Sequence, residues 1–139
     1  MSGNLDFLLE WDGSLDEEAT ITFPRGEFEL NVTCRTISSE VYRQIEKTCM
    51  QYSKIEGETI DNHQFLRKMI FQSIVDPDLS NSELQTKFRP TQPYLIVNQI
   101  FKSGELIQLM KLINRLSGFK DDVQSDNEIE NLLREQKSE

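Results

Sequence analysis

The chain has 139 residues, 37% of them hydrophobic and 28% charged, and its 24 acidic against 15 basic side chains give a formal charge of -9. A chain of this length fits one domain and buries roughly two-thirds of the surface that its unfolded form exposes. The acidic balance argues against nucleic-acid binding, which needs cations to displace counterions from phosphates. With no long apolar run and no signal-type segment, the expected setting is a reducing cytoplasm, away from membranes.

The charge is uneven. Residues 1–35 sum to -6, residues 36–119 to +1 and residues 120–139 to -4, so the ends carry the negative charge. Cys34 and Cys49 lack metal-ligand spacing and read as buried thiols, with a bridge between them left open.

Residues 1–18 form an apolar N-terminal segment in which Leu5, Phe7, Leu8, Leu9 and Trp11 fall within seven positions before the acidic run Asp16-Glu17-Glu18. Over residues 20–35 the side chains alternate. Ile21, Phe23, Phe28, Leu30, Val32 and Cys34 share one face, and Glu27, Glu29, Asn31 and Thr33 share the other. Period two predicts strands, and Pro24-Arg25-Gly26 predicts the turn of an antiparallel hairpin with one wet face. A helix capped by Ser38 or Ser39 carries Val41, Tyr42, Ile45, Cys49 and Tyr52 and ends near Ser53. Residues 54–60 read as a polar loop. Asp61 with Gln64 makes a capping box for a helix bearing Phe65, Leu66, Met69, Ile70 and Ile74.

Asp76-Pro77 ends that helix, because the residue before a proline is pushed out of the α region. Ser80 with Glu83 reads as the next capping box, for a short helix through Phe88. Pro90 and Pro93 break the chain, and Pro93 suits the first position of the following helix. Ser103-Gly104-Glu105 opens the last clear helix, whose apolar residues Leu106, Leu109, Met110, Ile113 and Leu116 recur at spacings of three and four. Gly118 reads as its left-handed stop, with Phe119 folding back on Ile113. Residues 120–139 form an acidic tail in which Asp126 caps a short amphipathic helix carrying Ile129, Leu132 and Leu133. Such a helix needs packing partners to form. The fold class expected is α+β: one domain over residues 1–119, with an N-terminal hairpin packed on a helical core (38–119) of about five helices, followed by the tail.

No chemistry of catalysis stands out. His63, with Glu58 and Asp61, sketches a metal site but reads better as a solvated loop histidine, so no metal, cofactor or catalytic residue is assigned. Asp76 and Asp78 read as turn residues rather than an acid/base pair. No nucleophile elbow, glycine-rich phosphate loop or zinc-protease motif is present, so the chain reads as a non-enzyme.

One ordered set of pieces carries a resemblance: Val75-Asp76-Pro77-Asp78-Leu79, then Asn81-Ser82-Glu83-Leu84-Gln85, then Gly104-Glu105, then Ile113-Asn114-Arg115-Leu116-Ser117-Gly118-Phe119. In order and spacing they resemble the C-terminal core of the XkdN-like tail assembly chaperones of phages and defective prophages. The two prolines between Phe88 and Tyr94 depart from the family pattern. The resemblance implies a chaperone that holds the tape measure protein, a long helical chain that sets tail length, and helps recruit the tail tube protein, without joining the finished virion. Self-association is a further partner mode. Such a chaperone must cover an apolar helical stripe reversibly. Leu5, Phe7, Leu8 and Trp11 are the first candidates for that contact, and Ile129, Leu132 and Leu133 the second; completion of the domain's own core is the competing role for both segments. The alternative function is an acidic adaptor or inhibitor of a basic partner.

Overall fold

The computed structural model describes residues 3–119. Its elements run α1 (Gly3–Glu10), β1 (Glu18–Arg25), β2 (Phe28–Arg35), α2 (Ser39–Thr48), β3 (Met50–Ser53), β4 (Gly57–Ile60), α3 (Asn62–Ser73), β5 (Ile74–Asp76), α4 (Ser82–Phe88), a 3-10 turn (Pro93–Ile96), α5 (Val97–Ile100) and α6 (Ser103–Leu116). The described chain is thus a mixed α/β structure with six α-helices and small antiparallel sheets; five of the helices, α2 to α6, fall within residues 38–119 as expected, and α1 forms from the apolar N-terminal segment.

The expected hairpin is present, with Ile21 opposite Val32 and Phe23 opposite Leu30. Its turn lies one step later than Pro24-Arg25-Gly26. Arg25 pairs with Phe28, leaving Gly26 and Glu27 as a two-residue turn, with Gly26 at φ +65°. A glycine in the first turn position supplies the positive φ that matches strand twist. Pro24 sits inside β1 because β1 is the sheet edge, where a missing N–H breaks no ladder. Phe23, Val32 and Cys34 are buried on one face. The other face carries cross-strand bonds between Thr20 and Thr33 (2.9 Å) and from Thr22 to Asn31 (2.6 Å). Phe28, expected on the buried face, is exposed, since it flanks the turn beyond the core.

Three elements differ from the sequence expectation. α3 stops at Ser73, and Ile74–Asp76 becomes a third strand against β2, giving the order β1-β2-β5. The buried Ser73 hydroxyl donates to the Arg35 carbonyl at 2.6 Å and accepts from the Arg35 amide at 3.3 Å, so a tertiary contact rather than Pro77 ends the helix. α2 ends at Thr48 instead of near Ser53, and residues 50–60, expected as the end of that helix followed by a loop over 54–60, form a second hairpin. There the Ser53 hydroxyl accepts from the amides of Ile55 and Glu56, and Gly57 takes φ +74°. The cap of α4 is Asn81, which accepts from the Leu84 amide at 3.1 Å; Ser80 instead donates to Asp78 at 2.6 Å.

Other boundaries stand where the sequence puts them. Ser38 accepts from the Val41 amide and Asp61 from the Gln64 amide, capping α2 and α3. Pro93 opens the 3-10 turn. At the start of α6, Glu105 accepts from the Lys102 amide at 2.9 Å, which makes Lys102 the cap position and places Ser103 inside the helix. At its end Gly118 takes φ +85°, its amide donates to the Arg115 carbonyl and the Phe119 amide to Asn114, the paired bonds of a Schellman stop. The Phe119 ring lies 5.8 Å from that of Tyr42 on α2.

The core is centred on α3 and α6, where Met69, Ile70, Leu109 and Ile113 are fully buried and meet Val32 and Cys34 from β2 and Ile96 and Val97 from the 3-10 turn and α5. Each large apolar side chain so buried contributes about 1.5–3 kcal/mol. The hairpin tip is tied down by charge. Arg25 grips Glu105 with two bonds, of 2.5 and 2.8 Å, and donates to the Ile100 carbonyl at 2.7 Å.

Candidate functional site

α1 carries the first set of candidate residues. No side chain of this helix is buried. Leu5, Phe7, Leu8 and Leu9 are 57–75% exposed and Trp11 is 37% exposed. At 100° per residue these five occupy an arc of roughly 200°, with Asp6 and Glu10 on the remainder. Phe7 and Trp11, four positions apart, stack with ring centres 6.0 Å apart and planes at 19°. The Trp11 amide continues the helical ladder to Phe7 at 2.9 Å. Beyond it, the Asp12 side chain accepts from Ser14, and Gly13 at φ +78° turns the chain away. The segment does not complete the core, whose buried hydrophobics run from Phe23 to Ile113. Leu9 belongs to the same face and was not singled out from sequence, although its spacing from Leu5 is the signal that finds it.

An eight-residue helix scarcely pays its nucleation cost in water. An exposed face with two aromatics and three leucines is therefore a surface suited to a partner's apolar stripe, while Asp6 and Glu10 stay in water. The second candidate set, Ile129, Leu132 and Leu133, lies outside the described residues.

The second hairpin adds exposed apolar residues that sequence reading missed, Tyr52 at 78% and Ile55 at 95%. A cleft of about 320 Å³ opens between α2, α3 and the 3-10 turn, lined by Ile45, Thr48, Lys68, Phe71, Pro93 and Tyr94 among others. It too was not anticipated, because it is made by packing three segments distant in sequence.

His63 is not the solvated loop histidine expected: it lies in the first turn of α3, half-buried, and its Nδ1 is buried with no hydrogen-bond partner among the described residues. Two carboxylates weighed for other chemistry have structural occupations. Asp61 caps α3, and Asp78 holds the Ser80 amide and hydroxyl. Among the described residues, no group of three or more metal-ligating side chains stands together. Cys34 and Cys49 are both buried and unbridged. Burial pushes the Cys34 thiol up to about 11, with the neighbouring Ser73 hydroxyl acting the other way. Glu105 is held below the usual carboxylate range, chiefly by its hydrogen bonds from Arg25. No described helix is long and apolar enough to cross a membrane.

A small mixed α/β fold of this arrangement is found in the crystal structure of the protein yqbn, which is 17% identical and superposes with a TM-score of 0.64 over 82% of this chain and 95% of that one. No curated protein matches the chain. Residues 5–135 match the phage XkdN-like tail assembly chaperone proteins, and the chain belongs to that family. The match includes α1 from Leu5 onward and the pieces between Val75 and Phe119 that carried the resemblance.

Proposed function

We propose that this chaperone binds and holds the tape measure protein in the host-cell cytoplasm, and helps bring tail tube subunits to it, through the apolar face of α1. The observation that supports this reading is the exposure of Leu5, Phe7, Leu8, Leu9 and Trp11 on a helix whose removal would leave the core intact. A long amphipathic client exposes a stripe that drives aggregation until its final partners arrive. Laying it against α1 buries both apolar surfaces, in the manner of helix recognition by apolar anchors. The acidic ends of the chaperone then keep the complex soluble and self-repelling. Family membership assigns a role in assembly rather than catalysis.

The test is co-expression with the tape measure protein followed by size exclusion. Wild type should carry the client into a soluble complex, and Phe7→Ser/Leu8→Ser should not. A double variant that is folded and still solubilises the client would refute the assignment to α1.

A further inference from the structure

The cleft between α2, α3 and the 3-10 turn has an apolar lining from Ile45, Phe71, Pro93 and Tyr94. Its two long walls are helices. Ile45 and Thr48 lie three positions apart on α2, and Lys68 and Phe71 three apart on α3, so the cleft is a groove between two helix ridges, the shape that takes a third helix. Helical walls have spent their backbone groups on their own ladders. An extended segment seated there would leave its N–H and C=O groups without partners, whereas a helix arrives with its own satisfied. The volume of about 320 Å³ stands near the lower end of the roughly 300–1,000 Å³ of ligand pockets, enough for side-chain anchors rather than a whole helix.

The charge at the cleft is opposite to that of the chain. Lys68 is the one charged side chain among the described residues that line it. Its ammonium donates to the Thr48 hydroxyl at 3.0 Å and lies 5.2 Å from the centre of the Tyr94 ring, both neutral partners, and it is in no ion pair among the described residues. An adjoining depression, which shares Gln44 with the cleft, adds the exposed cations Arg43 and Lys47 against the single carboxylate of Glu40. The cleft and its border thus set three cations against one anion, on a chain whose formal charge is -9. We propose that this cleft is a second docking site, for an acidic amphipathic helix of another protein. Apolar anchors three or four positions apart fill the space between Ile45, Phe71 and Tyr94, while flanking carboxylates meet Lys68 and Lys47. The α1 helix of a second copy suits the site poorly. At 100° per residue its carboxylates, Asp6 and Glu10, lie together opposite the apolar arc, so seating that arc would aim both away from Lys68. The site is independent of the client reading of α1, and either can fail alone.

The test uses isotope-labelled full-length protein and two synthetic helical peptides. Both carry leucines at positions i, i+3, i+4 and i+7, and the flanking residues are glutamate in one and lysine in the other. In about 0.15 M salt, where exposed charges are screened beyond about 8 Å, the glutamate peptide should bind about tenfold more tightly, against the order that the net charge of the chain predicts. It should shift the amide signals of residues 44–48, 68–72 and 94, and do so equally in Phe7→Ser/Leu8→Ser. Lys68→Glu should reverse the order of the two peptides. Gln44→Trp, an exposed substitution at the mouth of the cleft, should weaken the glutamate peptide with an unchanged circular dichroism spectrum. Binding of neither peptide, preference for the lysine peptide in wild type, shifts centred on α1, or variants that bind as wild type does would each overturn the proposal. So would cleft signals that move with protein concentration alone, which would report a second copy as the occupant.

Discussion

Removing the carboxylate of Glu105 should loosen two junctions at once. Glu105 holds Arg25 at the end of β1 through two charge-assisted bonds, and it accepts from the Lys102 amide that begins α6. Its side chain is 9% exposed and that of Arg25 28%. Charge-assisted bonds contribute about 1.5–3 kcal/mol when well buried. The exposure of Arg25, and its retained bonds to the Pro24 and Ile100 carbonyls, bring the loss at that end to about 1–2 kcal/mol. Loss of the bond to the first turn of α6 adds about 1 kcal/mol. Glu105→Ala is therefore expected to destabilise by about 2–3 kcal/mol in urea unfolding, with unchanged m-value. A cycle with Arg25→Met should show coupling of about 1 kcal/mol or more. A loss in Glu105→Ala below about 0.5 kcal/mol, or coupling near zero, would show that the pair does not fasten the hairpin to the helices.

Because Arg25 holds the folded-state carboxyl below its ordinary value, this stabilisation is complete above the usual glutamate range and disappears as pH falls through the depressed value; unfolding free energy measured from about pH 6 down to pH 3 should fall less steeply in Glu105→Gln than in wild type. At Gly118 an added Cβ meets no atom within 4 Å, so the cost of substitution is conformational: Gly118→Ala should lose about 1 kcal/mol and Gly118→Val more, by thermal or denaturant midpoint. Ser73→Ala should cost about 1–2 kcal/mol by unpairing the Arg35 backbone next to β5, with hydrogen exchange at Arg35 speeding up first. Cys34 should resist a thiol reagent at pH 8 in the native state and react on unfolding, because burial holds its thiol at about 11.

What the sequence made legible was mostly local chemistry. Side-chain caps at Ser38 and Asp61, proline at a helix start and glycine at a helix stop each act within a few residues, and each stands where expected. β5 was hidden because Ile74 and Val75 continue the apolar character of α3, and only the buried contact between Ser73 and Arg35 turns them into a strand. The second hairpin was hidden by its own exposure: Met50, Tyr52 and Ile55 face solvent, so no buried alternation marks it. At the candidate site the apolar run from Leu5 to Trp11 was visible in one dimension. Its placement outside the core was not, because a run of leucines and aromatics reads alike whether it fills a core or waits for a partner. The cleft beside Tyr94 could not be read at all, since Ile45, Phe71 and Tyr94 meet only through the packing of α2, α3 and the 3-10 turn.

The most direct measurement of the proposed role is the affinity of purified chaperone for a tape measure segment, taken across a salt series in wild type and in Phe7→Ser/Leu8→Ser, with circular dichroism on both. If α1 holds the client by apolar burial, the variant keeps the wild-type spectrum and melting temperature and loses at least tenfold in affinity, while wild-type binding changes little between about 0.1 and 0.5 M salt. Equal affinity in a folded variant, or wild-type binding that collapses as salt screens charge, would contradict it, the second outcome pointing to an acidic surface that recognises a basic partner.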